Sequence, residues 1–118
     1  MPRSVPEQSS AFVEAVESRG QAIGHAVARI LDGEEADLVL EAPRSYVDDL
    51  RILIKRHPGI EAAASDLLAT AGAFISASRT GDGADTRQRR FLAEAALRFT
   101  ARLEAAQPSE SARRVGLV

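Results

Sequence analysis

Twelve consecutive residues, LLATAGAFISAS at 67–78, carry no charge in a chain of 118 residues of which 27% are charged. Leu67, Leu68, Ala71, Phe74 and Ile75 recur there at the spacing of one helix face. The opposite face is small rather than charged: Ala62, Ser65, Ala69, Gly72, Ala73 and Ser76. A helix that is apolar on one side and small on the other is expected to pack on both sides, the small side against a second helix at close range. The run falls short of the roughly 18 apolar residues that span a bilayer. It therefore predicts a helix that is central in the domain or lies at a dimer interface.

The rest of the chain supports helices. Aromatic residues make up only 4%, with no tryptophan. The core must then be aliphatic and alanine-rich, which suits closely packed helices and not a large sheet. Val13, Val16, Gly20, Ile23, Val27 and Ile30 repeat at 3-4-3-4-3, a heptad seam predicting helix 1 over residues 5–31, with Ser4 and Glu7 as a capping box. Gly20 and Gly24 within it each cost ~1 kcal/mol against alanine, so a neighbouring backbone is expected close by. Residues 33–44 are acidic and admit either a helical turn or an extended segment, the former preferred.

Helix 2 is predicted over 44–57, with Tyr46, Val47, Leu50, Leu53 and Ile54 buried and Ile52 on the charged side. His57-Pro58-Gly59 closes it, His57 acting as a cation at the helix C-terminus. Helix 3 covers 60–79. Helix 4 covers 86–106, with Asp82 or Asp85 as its cap. Its apolar face is Phe91, Leu92, Ala95, Ala96, Phe99, Leu103 and Ala106, and Glu94 and Arg98 form an i,i+4 pair. The expectation is an all-α protein, an antiparallel four-helix bundle forming one domain over 5–107, followed by a flexible tail at 108–118.

Composition narrows function mainly by exclusion. The chain has no cysteine, two histidines and a net charge of −2. Thiolate metal sites and a cysteine nucleophile are ruled out, and a zinc, haem or di-iron site lacks its ligand spacing, so no cofactor or metal is expected. No nucleophile elbow or phosphate loop is present. Asp48-Asp49 and Glu34-Glu35 are adjacent pairs, which diverge by about 100° on a helix and make no acid/base dyad. Nearly all bases are arginine, with Lys55 the only lysine, a bias that points to a GC-rich bacterial coding sequence. Residues 1–10 lack the apolar stretch of a secretory signal, and a cytoplasmic protein is expected.

Three functional readings remain. In the first, the chain is a non-enzymatic regulatory or adaptor protein acting through protein–protein contacts, as a homodimer. Its partner-binding residues are then Arg79, Arg87, Arg89 and Arg90 around the 80–86 loop, with the surplus apolar residues Ile52 and Leu97. An acidic surface suits the arginines, the chain's own Glu34, Glu35, Asp37 and Glu41 included. In the second, His25 on the polar face of helix 1, with Arg29 at i+4, is a phosphoacceptor. Size, fold class and an exposed histidine resemble a histidine phosphotransfer domain, although that family's lysine and glycine are here Ala28 and Arg29. In the third, the arginine edge binds nucleic acid. The acidic balance and the lack of interleaved aromatic residues disfavour that reading.

Overall fold

A computed structural model of the chain describes residues 7–32, 36–80 and 85–116, with side-chain surroundings given for all of these except 7–10, 36–40, 79–80 and 85. It is all-helical, with no strand among the described residues. Helix α1 spans Glu7–Leu31, α2 Ala36–Leu53, α3 Pro58–Thr80 and α4 Asp85–Arg102. A 3-10 turn at Leu103–Ala105 prolongs α4, and a short α5 covers Glu110–Arg114. The Ser4 cap and the Asp82 cap expected from the sequence lie outside the described residues.

One apolar core runs through all the helices. From α1 it takes Phe12, Val16, Ile23, Val27 and Ile30, as the heptad seam requires. Val13 is the exception, 49% exposed at the open end of the seam. From α2 come Val47 and Leu50, with Ile54 just after it, from α3 Leu67, Ala71, Phe74 and Ile75, and from α4 Leu92, Ala95 and Phe99. Phe91 was expected in that set, but it lies at the rim, 39% exposed.

Helix α1 pairs chiefly with α2 and α3 chiefly with α4. Arg98–Asp66, Arg89–Phe74 and Arg102–Gly59 set α3 and α4 antiparallel. The molecule measures 60 × 23 × 22 Å. The 25-residue α1 is only about 37 Å long, so the two helix pairs are displaced along the long axis. Consequently α3 is not central. It lies on α4 along its length, and the small face, expected to meet a second helix in the chain or across a dimer interface, is open in the chain: Ala62, Ser65, Ala69, Ala73 and Ser76 are exposed. A Cβ added at Gly72 would touch nothing within 4 Å.

Helix α2 differs most from expectation. It starts at Ala36, resolving the acidic segment as helix, and passes through Pro43 before stopping at Leu53. A proline inside a helix forfeits the bond from its own nitrogen and crowds the preceding turn. Pro43 is nevertheless fully buried, and burial of its ring in the core offsets that cost. The helix ends four residues before His57 because residues 55–57 turn the chain and Pro58 restarts it as the first residue of α3.

The C-terminal segment, assigned from sequence to a tail, returns to α2. Ile54 and Pro108 form an isolated antiparallel bridge. The Lys55 N–H donates to the Gln107 carbonyl at 2.6 Å, and the Ser109 N–H donates to Leu53 O at 2.9 Å. The Ser109 hydroxyl donates to Ile52 O at 2.6 Å and accepts from the Ala112 N–H at 3.0 Å. These bonds satisfy carbonyls that the end of α2 would leave bare. They also cap α5 and seat Ala112 in full burial. Ser109→Ala should therefore cost about 1–2 kcal/mol, read as a lowered urea midpoint.

The α1 glycines do not meet a neighbouring backbone. A Cβ at Gly20 would lie 3.4 Å from Leu103 Cδ1, an ordinary contact, and one at Gly24 would meet nothing within 4 Å. Gly24→Ala should stabilise the isolated protein by about 0.5–1 kcal/mol, seen as a rise in the same midpoint.

Candidate interaction surfaces

The arginine edge begins where α4 begins. Arg87, Arg89 and Arg90 are exposed on its first turns. The Arg89 guanidinium stands 5.3 Å over the Phe74 ring, so part of that cation is committed to covering the core. Arg79 is in the last turn of α3, and its side chain lies outside the described residues. The expected Glu94–Arg98 pair is replaced by a contact between helices, in which Arg98 Nη2 donates to Asp66 Oδ2 at 2.7 Å. Both partners are about half exposed, so the pair contributes at most about 1 kcal/mol.

Ile52 and Leu97 are indeed surplus apolar residues, 61% and 72% exposed. Ile52 does not join the arginines in one patch, whereas Leu97 follows Arg90 by seven residues and lies on the same face of α4, about 10 Å along its axis. Ile52 sits at the α2–α3 elbow, where α4 ends, since Arg102 Nη1 donates to Gly59 O and Ser109 to Ile52 O. Arg87 is 15 residues earlier than Arg102 on α4, about 22 Å along the axis.

His25 is exposed on α1 and open to solvent. His57 serves the opposite helix end from the one expected. Its Nδ1 accepts from the Ile60 N–H at 3.2 Å and its carbonyl accepts from the Glu61 N–H at 2.9 Å, so it caps the start of α3. The imidazole therefore acts as an acceptor at the start of α3 and not as a cap on the end of α2. His57→Ala should cost about 1 kcal/mol, measured by denaturant unfolding. Among the described residues no group of three or more His, Asp or Glu could hold a metal ion.

Beside His57 lies a cleft of about 280 Å³ between α2 and α3. Its floor is Val47, Leu50, Ile54, Ile60, Ala64 and Phe99, and its rim carries Arg51, Lys55, Arg56 and Glu61. Arg51 is engaged with Asp48 at 3.0 Å and with Glu61 at 3.3 Å. All six floor residues are buried and no half-exposed apolar side chain stands among the residues lining it, so little apolar surface is left there for a ligand.

A wider groove of about 780 Å³ lies between α1 and the end of α4. Phe12, Val13, Val16, Gly20 and Gly24 line it from α1, and Leu103 and Ala106 from the opposite wall. Glu17, Gln21, Thr100 and Glu104 complete the lining. The sequence signals for it are the two α1 glycines, which imply a neighbouring backbone close by, and Val13, which the seam assigns to the core.

The third open surface is the small face of α3. Its exposed or half-exposed members Ala62, Ser65, Ala69, Gly72 and Ser76 repeat at 3-4-3-4, without a charge between Asp66 and Arg79. By length and composition alone, residues Pro58–Ser78 could cross a membrane, at a mean hydropathy of 1.2. A third of that stretch is buried against the protein itself, and it carries Glu61 and Asp66. Comparison with known protein families, characterised proteins and solved structures finds no match to this chain.

Proposed function

We propose that this chain is a non-enzymatic helical adaptor that works through protein–protein contacts in the cytoplasm, as a homodimer joined along α3. The observation that carries this reading is the exposed small face of α3. An exposed helix face ordinarily carries charge, because lysine, arginine, aspartate and glutamate are the residues most at home in water. Here the exposed side is uncharged for three turns, and its small residues repeat at the 3-4 spacing of two helices packed at a shallow angle. With no helix among the described residues over it, a second copy is the natural cover.

In this dimer the α3–α4 pairs of two copies meet back to back, and an antiparallel four-helix bundle forms across the two-fold axis. The arginines at 79, 87, 89 and 90 and the apolar Ile52 and Leu97 then remain on the outside for other partners. Light scattering on the eluting protein tests the dimer. A mass twice the 12.6 kDa of the chain is expected. A monomer at high concentration overturns the reading, and so does a monomer that sediments with lipid vesicles, because a membrane would then cover α3.

A further inference from the structure

We infer that the groove between α1 and the end of α4 is a docking site for an amphipathic helix with basic flanks, contributed by a partner protein. This deepens the adaptor reading and rests on it. The groove follows α1 from Phe12 to Gly24, about 18 Å, enough for two successive turns of a guest helix to set apolar anchors at i, i+3 or i+4 and i+7. Its floor is apolar: Phe12, Val16 and Leu103 are buried at the bottom, and Val13 is half exposed at one end.

Two further observations identify the occupant. The first is charge. Glu17 and Glu104 stand on facing sides of the groove, and among the described residues no lysine, arginine or histidine lines it. An apolar floor between two carboxylates complements a guest with an apolar stripe between lysines or arginines. It repels one with acidic flanks. The second is Gly24. A glycine in an exposed helix interior lowers helix stability, and among the described residues nothing lies within 4 Å of a Cβ built at Gly24. A missing side chain in the wall of a groove allows a guest backbone to come close to α1, where any larger residue would hold it away.

The experiment uses the full chain and two labelled synthetic helical peptides with the same leucine stripe, one flanked by lysines and one by glutamates. Fluorescence anisotropy reads binding to the wild-type protein, to Gly24→Leu and to Glu17→Lys/Glu104→Lys. Gly24→Leu has open space at its site and a better helix former, so it folds, and circular dichroism checks this. The lysine peptide is expected to bind at least about tenfold more tightly than the glutamate peptide. Gly24→Leu should weaken it by a similar factor, and the double charge reversal should invert the preference.

Equal binding of both peptides, absence of lysine-peptide binding, or full binding to Gly24→Leu each overturns the proposal. The mass of every variant is recorded alongside. If Gly24→Leu turns a dimer into a monomer, a second copy occupies the groove and the proposal is wrong. If peptide binding fails while the dimer persists, the docking site falls and the α3 dimer stands.

Discussion

Replacing Phe99 with alanine is expected to cost about 3–5 kcal/mol, the largest loss from any single truncation in this chain. Phe99 is 1% exposed. It reaches from α4 to the floor of the elbow cleft, beside Val47 and Leu50 of α2, Ile54 just after it, and Ile60 and Ala64 of α3. Its ring thus joins the two helix pairs where the displaced halves overlap. Truncation leaves a cavity that three helices would have to move to fill, and rigid helices collapse only partly. A domain of this size is stable by about 5–15 kcal/mol, so the variant should unfold at a much lower urea concentration. Phe91→Ala is the control. Phe91 is the same residue type on the same helix, eight positions earlier and 39% exposed. Its truncation should cost about 1 kcal/mol or less. Both are measured at one protein concentration, since the proposed dimer would contribute to apparent stability. Equal losses at the two sites would contradict the burial pattern.

That contrast marks what the sequence could and could not show. Periodicity placed both phenylalanines on one apolar stripe, because residues 91, 92, 95, 99 and 103 share a face when α4 is viewed alone. Which edge of the stripe turns inward depends on where α3 and α2 lie, and helical spacing carries no information about that. The same limit explains α3. Its core face at Leu67, Ala71, Phe74 and Ile75 was legible, and its small face was legible as unusual. Whether that face met a helix of the same chain depended on the offset between the two helix pairs, a tertiary quantity.

Pro43 illustrates a different failure. Local rules treat an interior proline as a stop, and periodicity predicts helix 2 only from residue 44, whereas the helix runs through Pro43, whose ring is buried in the core. His57 and Ser109 were misjudged because their partners lie across a turn or 57 residues away. A histidine before Pro58 is as well placed to cap the next helix as to close the last one, and only the distance from Nδ1 to the Ile60 N–H decides between them.

The second large effect is expected at Ala69, where a single substitution separates folding from association. Ala69 is exposed in the chain, so a longer side chain there has room in the monomer. Arginine is almost as good a helix former as alanine, and Ala69→Arg should unfold within about 0.5 kcal/mol of the wild-type monomer. In the proposed dimer the same residue lies mid-stripe, between Ser65 and Gly72, facing its counterpart across the two-fold axis. Symmetry then doubles every substitution. Two guanidinium groups would enter one dry seam of small residues without a carboxylate to receive them, at a cost of several kcal/mol. Light scattering should read 12.6 kDa for the variant where the wild type reads twice that value. Ala69→Leu sharpens the distinction, because it adds bulk without charge. If α3 met a helix of its own chain, leucine would overpack the contact and destabilise the fold by about 1–3 kcal/mol. With the face open in the monomer, leucine should leave unfolding nearly unchanged and alter only the mass. A dimer that survives Ala69→Arg would place the interface elsewhere, with the exposed Ile52 and Leu97 the next apolar residues to replace.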